Sequence, residues 1–172
     1  REECTVKQRG VTLIQMLSAL AVAVLLTQLG MPAYARMTDD LHRAAAARDL
    51  AQALRSARSH ALLLGQNVRV QGVESDWGKG WRVLLEHNEQ VLREQRLSRP
   101  IRIMANTGDQ IRFSALGVPL GKTGGTLELC EKNAATSFTQ VVMASTGRIR
   151  LRTGEPEKVS LCAGPVSYTH LR

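Results

Sequence analysis

The chain has 172 residues, a formal net charge of +8 and only 3% aromatic residues. These figures exclude a multidomain protein and an aromatic-rich core, leaving one domain with a modest core of Val, Leu, Ile and Ala. The positive charge suits an anionic partner such as nucleic acid or a lipid surface, or simply a basic solvated surface.

No formal charge lies between Arg9 and Arg36. As a helix at ~1.5 Å per residue, this run reaches roughly 39 Å, enough to cross a hydrocarbon core of about 30 Å. It carries scattered Thr, Ser and Gln where a soluble core helix would show a polar face. It is too long for a signal-peptide apolar region, and no Ala-x-Ala site follows it. A membrane helix is therefore expected over residues 11–35, after a short charged segment at 1–10. Arg1, Lys7 and Arg9, set against Glu2 and Glu3, favour a cytoplasmic N-terminus with the rest of the chain outside the cytoplasm.

Beyond Gly30 and Pro32, which are expected to loosen or kink the helix, residues 36–64 read as an amphipathic helix. Leu41, Ala44, Ala47, Leu50, Leu54, Ala57, Ala61 and Leu64 recur at three- and four-residue steps. Arg43, Arg48, Arg55 and Arg58 lie mostly off that stripe. A solvated basic face is expected there, with subunit contacts or auxiliary nucleic-acid contacts as the alternative. Gly65 and Asn67 provide a C-terminal stop.

From there to residue 166 the pattern has period two. Asn67–Val70 starts a strand, and Gly80–Leu85 with Gln90–Arg93 reads as a hairpin around His87-Asn88-Glu89. Ile101–Ile103, Gln110–Phe113 and Thr126–Cys130 are further strands, with a glycine-rich loop over Gly117–Gly125. The last hairpin runs from Phe138 to Ala144, turns near Ser145-Thr146-Gly147, and returns over Arg148–Arg152. The fold class is α+β, a long N-terminal helix packed on antiparallel β-sheet.

Gly147-Arg148-Ile149-Arg150-Leu151-Arg152 is the strongest chemical constellation. On a strand, Arg148, Arg150 and Arg152 line one face at about 7 Å intervals while Ile149 and Leu151 face the core. Such a guanidinium ladder can engage successive phosphates, with Gly147 read as a flexible turn beside it. The alternative is an amphipathic strand whose exposed face is basic. Of the three cysteines, Cys4 lies in the N-terminal segment. Cys130 and Cys162 form an even pair in an oxidising compartment and are expected to be bridged, the alternative being two buried thiols.

Arg9-Gly10-Val11-Thr12-Leu13-Ile14-Gln15 resembles the leader–helix junction of type IV prepilins. Together with Arg58-Ser59-His60-Ala61 near the helix end and Gly147-Arg148-Ile149-Arg150, it makes the chain similar to the FimT/GspH family, most of all its FimT members. The resemblance implies cleavage between Gly10 and Val11 by a prepilin peptidase and N-methylation of Val11. Gln15 stands where the family usually has Glu, so it can hydrogen-bond but cannot neutralise a neighbouring subunit's amine. The family's DNA-binding motif falls on Gly147, Arg148 and Arg150. Arg152 is added from strand geometry. The implied protein is a minor pilin that binds DNA, supports natural transformation or pilus assembly, and contacts major and minor pilins. It spans the inner membrane once, with its C-terminal domain in the periplasm and then exposed on the pilus. The competing expectation is a structural GspH-like pseudopilin of type II secretion that binds only other pilins.

Other candidates are weak. Gly121-Lys122-Thr123 lacks the first glycine of a P-loop, since position 116 is Leu116. His42, His60, His87 and His170 show no metal-ligand spacing, and no nucleophile elbow appears. No enzyme activity, cofactor or metal is expected. Ser167-Tyr168-Thr169-His170-Leu171 resembles a translated sequencing adapter, so no function is built on residues 167–172, and the lack of an initiator Met fits an incomplete reading frame.

Overall fold

Gln15 folds back on the start of its own helix. Its Oε1 accepts the Thr12 amide at 3.1 Å, and its backbone N–H donates to the Thr12 carbonyl, one half of a capping box. In this computed structural model, residues 12–121, 124–132, 137, 139–154 and 160–164 are described. Cys4, the Gly10–Val11 junction, Lys122, Thr123, Phe138 and the tail at 167–172 lie outside them.

Helix α1 runs from Leu13 to Leu64 as 52 residues, with Pro32 inside it. The helix continues through Gly30 and Pro32, where loosening or a kink is expected, without interruption. Proline removes one hydrogen bond, and the turns on either side remain bonded. The chain forms two compact units that divide between Leu41 and His42. In the first, every residue from 12 to 37 is exposed, and the helix is long and apolar enough to cross a membrane. The Ser18 and Thr27 hydroxyls bond backward within the helix: Ser18 donates to Gln15 O, and Thr27 to Ala23 O and Val24 O. They therefore present no unpaired donor to an apolar phase.

In the second unit the helix buries Ala46, Ala47, Leu50, Ala51, Ala53, Leu54, Ala57 and Ala61. The middle of the expected stripe is thus buried, but its ends are not: Leu41 is 59% and Leu64 47% exposed. The helix stops at Gly65, whose φ is +61°. The Gln66 amide then bonds to the Ala61 carbonyl, the six-to-one closure of a Schellman motif.

Among the described residues the strands form two four-stranded sheets, antiparallel as expected. β1 (Val68–Val73), β2 (Asp76–Leu85), β3 (Val91–Arg96) and β5 (Gln110–Phe113) lie in the order β3-β2-β1-β5. β4 (Ile103–Ala105), β6 (Gly125–Leu129), β7 (Thr139–Met143) and β8 (Ile149–Thr153) lie in the order β4-β6-β7-β8. Ile101, expected on a strand, precedes β4. Helix and sheets share one core, with Leu50, Leu54, Val70, Trp81, Phe113, Leu127 and Val141 almost fully enclosed. The alanine-rich helix face lets the sheets approach closely, so the core closes with few aromatics.

Candidate nucleic-acid interface

Among the described residues β8 is an edge strand, paired only with β7, in a register that sets Val142 against Arg150 and Gln140 against Arg152. Its alternation is the expected one. Arg148, Arg150 and Arg152 are exposed, Ile149 is buried and Leu151 half-buried. Arg148 itself belongs to the turn, where its carbonyl accepts the Ala144 amide.

The pairing of charges separates Arg148 and Arg150 from most of the basic residues on the first sheet. On the first sheet and its turns, Arg69 pairs with Glu89, Lys79 with Glu74, Arg82 and Arg96 with Glu94, and Arg112 with Glu86. Hydrogen bonds from Arg96 and then Arg82 hold the Glu94 carboxyl below its ordinary range, and Lys79 does the same to Glu74. Among the described residues Arg148 and Arg150 have no such acidic partner. Arg152 engages a neighbour. Arg93 on β3 is also exposed and has no acidic partner among the described residues, but no second such arginine stands beside it on its strand.

The turn before the ladder is held rather than flexible. Gly147 is buried, with φ of +80°. A Cβ there would sit 2.3 Å from the Gly117 carbonyl oxygen and 3.0 Å from Arg58 Nε. Arg58, expected on a solvated face, donates through Nε to Gly117 O at 2.9 Å and through Nη2 to Thr146 O at 3.3 Å. Arg55 Nη2 reaches the Ile149 carbonyl at 3.4 Å. Two helix arginines one turn apart therefore grip the backbone on both sides of Arg148. Sequence periodicity placed them off the apolar stripe correctly, but could not show that the Gly117 loop, the Thr146 turn and the start of β8 reach back to meet them.

A family model described as "Type II transport protein GspH" matches residues 46–147. The chain belongs to the GspH family. In fold it resembles crystal structures of the type IV minor pilin FimU of Pseudomonas aeruginosa (strain PAO1). The form in space group P21 has a TM-score of 0.60 and 21% identity, covering 72% of this chain and 98% of that one. The form in space group P65 has a TM-score of 0.55 and 21% identity, covering 67% and 98%. No curated protein matches the chain. The GspH match takes in Arg55, Arg58, Gly117 and Gly147 and ends before Arg148.

Beyond that match, a covalent and a polar fastening tie the end of this GspH-family chain back onto β6. Cys130 and Cys162 are joined by a disulfide, with Cα atoms 5.6 Å apart. Glu128 is only 3% exposed. Its Oε2 accepts from Ser137 Oγ at 3.1 Å, Ser160 Oγ at 2.6 Å and the Leu161 amide at 2.9 Å. Arg102 Nη2 donates to Cys162 O at 2.9 Å. Sequence reasoning missed Glu128, because alternation along β6 put it on the solvent side. The short helical turn Leu161–Ala163 covers it, and three donors offset the cost of burying its oxygen.

Proposed function

We propose that this GspH-family protein is a membrane-anchored minor pilin of the FimT kind that binds DNA non-specifically through β8. That binding supports DNA uptake in natural transformation, pilus assembly, or both. The observation that carries the reading is the pair Arg148 and Arg150. Arg150 is exposed on the edge strand β8 and Arg148 is exposed in the turn just before it, and neither has an acidic partner among the described residues. Arg152 continues the row. With few aromatics available for stacking, contact is mainly to phosphates and sequence preference is weak.

The same reading assigns cleavage between Gly10 and Val11 and methylation of Val11. Other pilins are the protein partners. Before assembly the chain crosses the inner membrane once, with its C-terminal domain in the periplasm.

The test is affinity against salt for the full chain in non-ionic detergent. Arg148→Gln/Arg150→Gln should weaken binding to unrelated duplexes alike. It should also lower the slope of log K against log salt by roughly 1.8, about 0.9 for each phosphate no longer engaged. Circular dichroism is the folding control, since Ile149 still fills the core. Unchanged affinity in a folded double mutant refutes the site. A second reading, a structural pseudopilin that binds only pilins, is favoured by one observation: the family match ends at Gly147, before either arginine. Wild type that fails to bind DNA at low salt selects it.

A further inference from the structure

We infer that Arg58 is a positioning residue: it holds the β7–β8 turn so that Arg148 and Arg150 meet successive phosphates. This rests on the DNA-binding reading of β8. The ladder itself makes the demand. Two long, flexible side chains must present their guanidinium groups at strand spacing, about 7 Å apart. Their roots must be fixed first, because each mobile root adds entropy that binding must remove.

Arg150 is rooted in the β7–β8 ladder, opposite Val142. Arg148 lies just before β8, with Arg55 at the Ile149 carbonyl after it and the turn before it. That turn is tied by Gly147 N–H to Ala144 O and Ala144 N–H to Arg148 O, each at 2.9 Å. Its other anchors come from outside the hairpin. Arg58 binds Thr146 O with one nitrogen and Gly117 O with another. The Gly117 turn is itself closed by Gly117 N–H to Ser114 O at 2.8 Å, and it lies against Leu62 one helical turn beyond Arg58. Gly147 is seated on that same Gly117 carbonyl. One planar guanidinium thus joins the helix, the β5–β6 loop and the β7–β8 turn. A lysine carries the same charge but has no fork to satisfy both carbonyls at fixed angles. With Nε and Nη2 engaged by protein carbonyls, Arg58 acts on DNA through Arg148 rather than by touching it.

The decisive variants are Arg58→Lys and Arg58→Gln, with Arg148→Gln as the control for direct phosphate binding, in the full chain in non-ionic micelles. The DNA probe is a short duplex of arbitrary sequence. Arg148→Gln should lower the salt slope by about 0.9. Arg58→Lys should weaken binding about tenfold with the slope unchanged, because the same phosphates stay neutralised. Amide hydrogen exchange gives a readout independent of DNA: Arg58→Lys should speed exchange at Gly147 while leaving core strands β1 and β6 protected. Wild-type affinity in Arg58→Lys, with a slope lowered by about 0.9 in Arg58→Gln, makes Arg58 a direct phosphate ligand and overturns the inference. Unchanged Gly147 exchange in Arg58→Lys overturns it as well. If wild type does not bind the duplex, the DNA reading of β8 falls and takes this role with it. That outcome is recognised because the exchange of Gly147 still responds to Arg58→Lys.

Discussion

Gly147→Ala puts the packing at the turn to a quantitative test. Two costs are separable. Holding alanine at a left-handed φ costs roughly 1–2 kcal/mol. The steric cost is local: the new Cβ would lie 2.3 Å from a backbone oxygen, closer than real Cβ atoms come. The Gly117 and Gly147 turns must therefore part, which stretches the Arg58–Gly117 hydrogen bond out of range. Breaking one hydrogen bond from a charged donor adds roughly 1.5–3 kcal/mol. The total is about 2.5–5 kcal/mol. Gly108→Ala is the control, because Gly108 has nearly the same φ, +85°, and nothing within 4 Å of the added Cβ. It should cost only the backbone part. The assay is urea unfolding of the full chain in micelles, followed by the fluorescence of Trp77 and Trp81, both buried in the second unit. Equal destabilisation by the two substitutions would refute the claim that Gly147 is held by close packing, and would return it to an ordinary turn glycine.

Two further outcomes are expected. Cys130→Ser/Cys162→Ser opens a loop with a sequence separation of 32, so unfolding in oxidising buffer should become easier by about 4 kcal/mol; a midpoint unmoved by the double substitution would mean that Glu128 and its donors alone fasten the C-terminal segment. Co-expression with a prepilin peptidase should shift the intact mass to a chain beginning at Val11. A processed species still carrying Arg9-Gly10 would sink that assignment.

Much of the fold was legible because it rests on short-range periodicity. The apolar run, the switch from three-and-four steps to period two at Gly65, and the glycine stop itself are local signals, and helix and strands follow them. The division into two sheets was not legible: it depends on which strands pair, and β5 joins β1 while β4 joins β6 across long stretches of chain. The ladder on β8 was readable for the same reason as the strands, since Arg-Ile-Arg-Leu-Arg states its two faces directly. What supports the ladder was not. In sequence Arg58 is one of several solvated helix charges, and only the return of the Gly117 and Thr146 carbonyls gives its donors partners.

Glu128 shows the same limit from the other side. Its place in Thr-Leu-Glu-Leu correctly put it opposite Leu127 and Leu129, away from the core. Whether that outer face meets water depends on residues more than thirty positions later, Ser160 to Cys162, which the disulfide brings over it. The consequence bears on the binding surface. Glu128, Gln140 and Arg152 are successive cross-strand neighbours on β6, β7 and β8. The C-terminal fastening therefore caps the same row of side chains in which the ladder ends. A carboxylate left open there would oppose phosphate approach at Arg152. Enclosed by three donors, Glu128 is closed to direct contact with a phosphate, and the exposed side chain at the end of the row is the basic Arg152.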